Sequence, residues 1–376
     1  MAGYYGPAAV CGDKMPTMVD AIASWLPGAN VSHAAGVPNV LSDDTSGVAA
    51  AAELARGAEM TVLVLGTDLS VAMENHDAVN ITFSAGQLAL VEAVTAAAAQ
   101  PVVVVTLTAV PLDLTPLLAN AKVGAILHAG QPSIQTYGVS DLIFGASSPA
   151  GRTIQMVYPE AYQHQVSPFD FGMRPGASKW PRPDSPGPCG DPYVAPVVPS
   201  ANCTLGENPG RTYRFFNGAA VVPFGFGLSY TSWKYSVVSA PRSISLDPLR
   251  ALLRRTREAS GTSFPKLSEV GDVGQYVLNV TNTGTVDADD VVLGFVAPPG
   301  AGTGGLPLKQ LFGFERVHVR AGETVTVFLY PALTELAATM PGGQREALPG
   351  EYTVTFGVAE GAPFGAGFDK VGLAAR

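Results

Sequence analysis

Cysteine is scarce: Cys11, Cys189 and Cys203 are the whole supply in 376 residues. That is too few for a disulfide scaffold or for a metal cluster with recognisable ligand spacing, so no metal or cofactor is expected. Cys189 and Cys203 remain a candidate pair that would close one loop. Charge is also sparse, at 14% of residues against 47% hydrophobic, which rules out global disorder and leaves ample material for buried cores. The net charge of −9 is spread without long single-sign runs, which excludes nucleic acid and anionic membrane surfaces as partners and favours neutral ones. Long apolar runs are missing too. Each one, such as residues 101–108, is strand-length and far short of the roughly 20 residues that cross a bilayer, so a soluble protein is expected. Residues 1–7 have neither the basic start nor the apolar core of a secretory leader, and the start is expected to be internal to a longer protein. Gly-X-Ser-X-Gly, Cys-X-X-Cys and His-Glu-X-X-His are all absent, which removes the serine-hydrolase, redox and zinc-protease classes. The stretch 300–305 spells Gly-X-Gly-X-X-Gly, but a phosphate cradle needs a strand before it and a helix after it, and no helical pattern follows.

What is present falls into two halves. The first alternates apolar strand runs (60–66, 101–108, 123–128) with an alanine-rich helical run at 85–98 and a short run at 138–144. Continuous Val/Leu strands separated by helices predict an α/β sandwich with a mainly parallel sheet covered on both faces. Upstream, 16–25 and 47–57 read as helices flanking a short strand at 29–32, the second helix capped by Ser46. From 158 to 208 the chain is rich in Pro, Gly, Ser and Asp without a period, which predicts a long surface excursion. Residues 247–260 read as a short linker helix with Asp247 at the N-cap, Pro248 behind it and a solvated basic surface. After 273 the pattern turns to alternation, with strands at 275–281, 291–296, 316–319, 324–330 and 352–358, as in a fibronectin type III-like or immunoglobulin-like sandwich. The expected domains are 1–235, a linker at 236–269, and 270–376.

The most informative stretch is 210–233, GRTYRFFNGAAVVPFGFGLSYTSW. Its glycines permit close backbone approach and its aromatics supply large buried area, which suits either a structural clasp or a sugar-stacking wall. The two parts GRTYRFF and PFGFGLSYT resemble the segment that closes the second domain of glycoside hydrolase family 3. Pro149-Ala150-Gly151-Arg152, Gly172-Met173-Arg174-Pro175 and the opening Gly-Tyr-Tyr-Gly-Pro are similar to the same domain. Val280-Thr281-Asn282-Thr283-Gly284, the run 307–316 and Pro349-Gly350-Glu351-Tyr352 resemble the family's fibronectin type III-like domain, and the β-xylosidase/α-arabinofuranosidase branch is the nearest in pattern.

The resemblance implies a retaining mechanism on oligosaccharide or polysaccharide, with an Asp nucleophile on an N-terminal (β/α)8 barrel that lies outside these residues. A second carboxylate, the acid/base, comes from a loop of the second domain. The matching loop is 70–78, where Glu74 is the candidate acid/base and His76 and Asp77 are candidate sugar contacts. This loop departs from the family's Glu-X-Glu and following Asp-Arg at Ala72 and Ala78, and bulk replaces glycine at 108–111 and 130–135. A non-catalytic carbohydrate-binding or assembly module therefore stands as the alternative. Family resemblance also implies secretion, under which the triplets at Asn30, Asn80, Asn202 and Asn279 are candidate glycan acceptors.

Overall fold

The computed structural model describes residues 16–132, 136–185, 203–258, 270–359 and 366–376, which cluster into two compact units. Unit 1 holds residues up to 147, with 157–164 and 219–221. Unit 2 holds 148–156, 165–218 and everything from 222 onward.

Unit 1 begins with α1 (Met18–Trp25), started by a capping box in which the Thr17 side chain accepts the Asp20 amide at 3.1 Å and the Asp20 carboxylate accepts the Thr17 amide at 2.8 Å. The following elements are α2 (Val48–Gly57), β1 (Val62–Gly66), α3 (Ala85–Ala97), β2 (Val102–Leu107), the single turn α4 (Thr115–Leu118), β3 (Val123–His128) and α5 (Thr136–Ile143). The three strands form a parallel sheet in the order β1-β2-β3, with Val64 beside Val105 and Val105 beside Leu127. Parallel strands need both faces covered. Met18 of α1 and Val139 of α5 pack against Val105 on one face, and the alternating neighbours Val102 and Val104, fully buried, face the other way.

Unit 2 contains a short antiparallel pair, β4 (Gly176–Pro181) and β5 (Leu205–Asn208), and then the single turn α6 (Thr212–Phe215). The sandwich uses β6 (Trp233–Ser239), β7 (Ser243–Ile244), α7 (Asp247–Glu258), β8 (Tyr276–Asn282), β9 (Ala288–Ala297), β10 (Gln310–Val319) and β11 (Thr324–Leu329). A small hairpin, β12 (Ala337–Thr339) with β13 (Arg345–Ala347), is followed by β14 (Gly350–Phe356) and β15 (Asp369–Ala375). One sheet runs β10-β9-β14-β15-β7 and the other β11-β8-β6. Along β8 the burial alternates strictly: Tyr276, Leu278 and Val280 enter the core and join Val292, Val327, Tyr352, Val354 and Phe356. The expected α/β layer with a parallel sheet and the expected β-sandwich are both present.

Several local expectations are corrected. Residues 29–32 are a loop, because Pro27-Gly28 turns the chain (Gly28 φ 88°) and Ser32 pairs with Asn30 instead of a neighbouring strand. The N-cap of α2 is Gly47, which has no side chain to cap with; Ser46 before it donates its amide to the Asp44 carboxylate at 2.8 Å, a bond that also lowers the pKa of Asp44. The excursion from 158 onward contains the β4–β5 pair, and residues 186–202 lie outside the described ones. The helix at 247 is no solvated linker: Leu249 and Leu253 join the sandwich core and Leu252 is buried beside them, while its arginines line the other side. Residues 233–239 ladder onto β8 as an edge strand, so the sandwich begins at Trp233 within the expected first domain. Among the described residues no helix is long and apolar enough to cross a membrane.

Candidate active site

Parallel sheets place ligand sites beyond the carboxyl ends of their strands. At that edge of unit 1 lies the loop from β1 to α3, residues 67–84. Its root is Gly66, where a Cβ would stand 1.9 Å from the Leu107 carbonyl oxygen, so only glycine lets β1 end this close to β2. The buried Gln87 amide completes the root: its Oε1 accepts the Gly66 amide at 2.9 Å, and its Nε2 donates to the carbonyls of Val40 at 2.8 Å and Gly66 at 3.1 Å. Thr67 then donates its amide to the Leu107 carbonyl at 3.0 Å and sets its hydroxyl 2.7 Å from that of Thr108.

Farther out the loop forms a tight hairpin. Met73 and His76 exchange backbone hydrogen bonds of 2.9 and 3.0 Å, which leaves Glu74 and Asn75 as the two turn residues. Asn75 has φ 63°, a left-handed conformation that Asn tolerates better than other residues bearing a Cβ. Glu74 is thus exposed at the tip of a defined turn. The returning limb is pinned at Ile81, whose amide donates to Gln163 Oε1 at 2.8 Å and whose carbonyl accepts the Asp113 amide at 2.7 Å. Asp113 is itself buried, and its carboxylate accepts the amides of Thr115 at 2.8 Å and Glu160 at 2.7 Å.

Between this loop and the segment 40–43 lies a cleft of about 420 Å³. His76, Asp77, Asn80 and Asp43 give it polar groups, and Val71 and Leu112 give it an apolar surface. Among the described residues no lysine or arginine lines it, so it suits a neutral, hydrogen-bonding ligand better than an anion. Of the three residues singled out in the sequence, His76 and Asp77 line the cleft together and Glu74 stands outside the lining, on the hairpin tip. Gln87 and Asp113 carried no sequence signal, because their roles depend on partners far along the chain. His128, at the end of β3, carries no local sequence signal either. Its Nδ1 lies 3.1 Å from the Thr106 hydroxyl, and desolvation lowers its pKa below the ordinary value. Among the described residues no three His, Cys, Asp or Glu side chains gather as a metal site.

Several aromatics of the stretch at 210–233 form a clasp, while Tyr230 is 46% exposed. Tyr213 stacks on Phe224 at 4.3 Å, meets Phe295 edge-on at 5.8 Å, and its hydroxyl accepts the Leu311 amide at 3.2 Å. Phe215 is buried beneath the guanidinium groups of Arg174 and Arg214, 5.0 and 5.6 Å from its ring centre. These rings are engaged in packing, Phe215 fully and Tyr213 and Phe224 while half-buried. Cys203 is disulfide-bonded, and Cys11, Cys189 and Asn202 lie outside the described residues. Asn30 and Asn80 are exposed and Asn279 is half-buried.

The model of the glycosyl hydrolase family 3 C-terminal domain matches residues 2–230, and a fibronectin type III-like domain matches 290–359. The chain belongs to glycosyl hydrolase family 3. Beta-D-xylosidase 1 of Arabidopsis thaliana is 32% identical over 88% of the chain, and a probable exo-1,4-beta-xylosidase of Aspergillus clavatus is 33% identical over 85%. The chain spans 40% and 37% of the lengths of these two relatives. Among solved structures, a GH3 exo-beta-xylosidase in complex with a xylobiose aziridine probe matches with a TM-score of 0.71 at 24% identity, covering 96% of this chain and 41% of that one. A GH3 beta-glucosidase of Bifidobacterium adolescentis matches at 0.67 and 24%, covering 96% and 45%. These two likenesses establish the family 3 fold.

Proposed function

We propose that the chain is the rear, two-domain part of a retaining exo-glycosidase of family 3, acting on β-xylosides, α-arabinofuranosides or β-glucosides of plant-type polysaccharide. Glu74 is its acid/base. His76 and Asp77 contact sugar hydroxyls, and the nucleophile is an Asp on a (β/α)8 barrel outside these residues. The observation that carries this reading is the two-residue hairpin that holds Glu74 at its tip, next to a cleft that no lysine or arginine lines among the described residues.

In such a mechanism two carboxyl groups about 5–5.5 Å apart share the work. The nucleophile attacks the anomeric carbon while Glu74 gives its proton to the leaving oxygen, and the same Glu74 then takes a proton from the water that releases the sugar. Exposure at a loop tip supports this role, because the acid must reach a substrate held by another domain. The similarity to xylosidases points to a pentoside, and the disulfide at Cys203 supports an oxidising, secretory location.

A second reading, a non-catalytic carbohydrate-binding module, is favoured by Ala72 and Ala78 in the loop and by a cleft whose lining excludes Glu74. One experiment separates the two. The chain is joined to a family 3 barrel that carries its nucleophile, and hydrolysis of xylobiose is compared with and without Glu74→Gln. The enzyme reading expects a loss of about 10²–10⁴-fold. Equal rates, with xylobiose binding retained by calorimetry, would establish the module.

A further inference from the structure

The outer face of the β11-β8-β6 sheet has an unusual composition. By the strand register, Thr281 lies between Thr324 and Lys234, Asn279 between Thr326 and Ser236, and Phe328 opposite Val277. Phe328 and Tyr330 are 46% and 54% exposed. Phe328 on β11 next to Val277, and Tyr330 just past the end of that strand, leave apolar ring surface in water, although the Tyr330 hydroxyl accepts from Gln275 Nε2. The polar rows beside them are preorganised, and Lys234 at the far edge is their one charged group. The Thr281 and Thr324 hydroxyls lie 2.8 Å apart, and the Thr326 hydroxyl donates to Asn279 Oδ1 at 3.2 Å.

Asn279 sits in the middle of this face and heads the triplet Asn279-Val280-Thr281, whose Asn and Thr both point outward because Val280 between them is buried. Its Oδ1 is occupied by Thr326, which leaves Nδ2 as the outward group. Phe328 is its diagonal cross-strand neighbour, at a spacing of about 7–8 Å, within reach of one sugar ring attached to Asn279. The apolar face of a pyranose stacks on aromatic rings, and its hydroxyl and acetamido groups can bond Thr326 and Ser236.

We propose that Asn279 carries an N-linked glycan whose first N-acetylglucosamine packs on Phe328 and Val277. The donor is a lipid-diphosphate-linked oligosaccharide. Asn279 Nδ2 forms the bond to its anomeric carbon, the bond from that carbon to the diphosphate oxygen breaks, and one amide proton is released. Because the proposal rests on the secretory location inferred above, its test imposes that route.

The full chain, given a secretory leader, is produced in a eukaryotic host alongside Asn279→Gln. Peptide mass spectrometry after enzymatic deglycosylation reports occupancy, and thermal melts report the contribution of the glycan. The expected result is an occupied Asn279 and a melting temperature about 2–4 °C above that of Asn279→Gln, a difference that disappears in the Phe328→Ala and Phe328→Thr backgrounds. An unmodified Asn279 in secreted protein overturns the proposal whatever the native location. An undiminished difference in both Phe328 backgrounds overturns the stacking.

Discussion

Arg152 and Asp290, 138 residues apart in sequence, form a buried ion pair, with side chains 13% and 1% exposed. Arg152 belongs to the Pro-Ala-Gly-Arg motif and Asp290 to β9. The pair is completed by the Tyr235 hydroxyl, which donates to the other Asp290 oxygen at 2.6 Å, and by the Arg152 guanidinium, which donates to the Gly227 carbonyl. The motif thus fastens residues 148–156 to the sandwich.

Removing one partner strands the other charge in a dry environment. Asp290→Ala is therefore expected to cost unit 2 about 3–5 kcal/mol, read as a fall in the denaturant midpoint without a change of slope. A loss under 1 kcal/mol would mean that the pair is open to water.

Three buried tyrosines make the sandwich sensitive to alkali. Burial raises Tyr276 and Tyr352 to about 12, and burial together with the Asp290 charge raises Tyr235 well above its ordinary value. A raised folded-state value means that the stabilisation is fully present below the unfolded pKa of about 10 and is lost as pH rises through about 12. Melting temperature is expected to be level up to pH about 10 and to fall between about 10 and 12, tracking phenolate absorbance. Tyr276→Phe should flatten the curve, since its hydroxyl has no partner among the described residues.

In α7, Leu252 is fully buried. Leu252→Ala is expected to destabilise unit 2 by about 2–5 kcal/mol, whereas Arg254→Ala on the exposed side should change it by less than about 0.5 kcal/mol. Chemical denaturation of the two variants checks this, and equal effects would return the helix to the role of a solvated linker.

The same helix shows where the sequence is legible and where it is not. Asp247-Pro248 and the spacing of Leu249, Leu252 and Leu253 mark a helix with one apolar stripe, but four arginines dominate its composition and hide the burial of that stripe. The parallel strands were readable because Val102 to Val105 must be apolar on both faces. β6 and β15 were not, since Lys234, Ser236 and Lys370 face solvent and only their partners β8 and β14 make them strands. In the candidate site, the loop around Glu74 was visible by motif. Its supports, Gln87, Asp113 and Gln163, act through hydrogen bonds 21, 47 and 82 residues away, and no local pattern encodes such bonds.

The central claim is that Glu74 is an acid/base that waits for a nucleophile from a barrel outside these residues. The most direct measurement is the hydrolysis of an aryl β-xyloside by the purified chain alone. The account predicts no turnover above background, because a lone acid forms no glycosyl-enzyme intermediate. Robust turnover abolished by Glu74→Gln would contradict it, since it would place a nucleophile within these 376 residues.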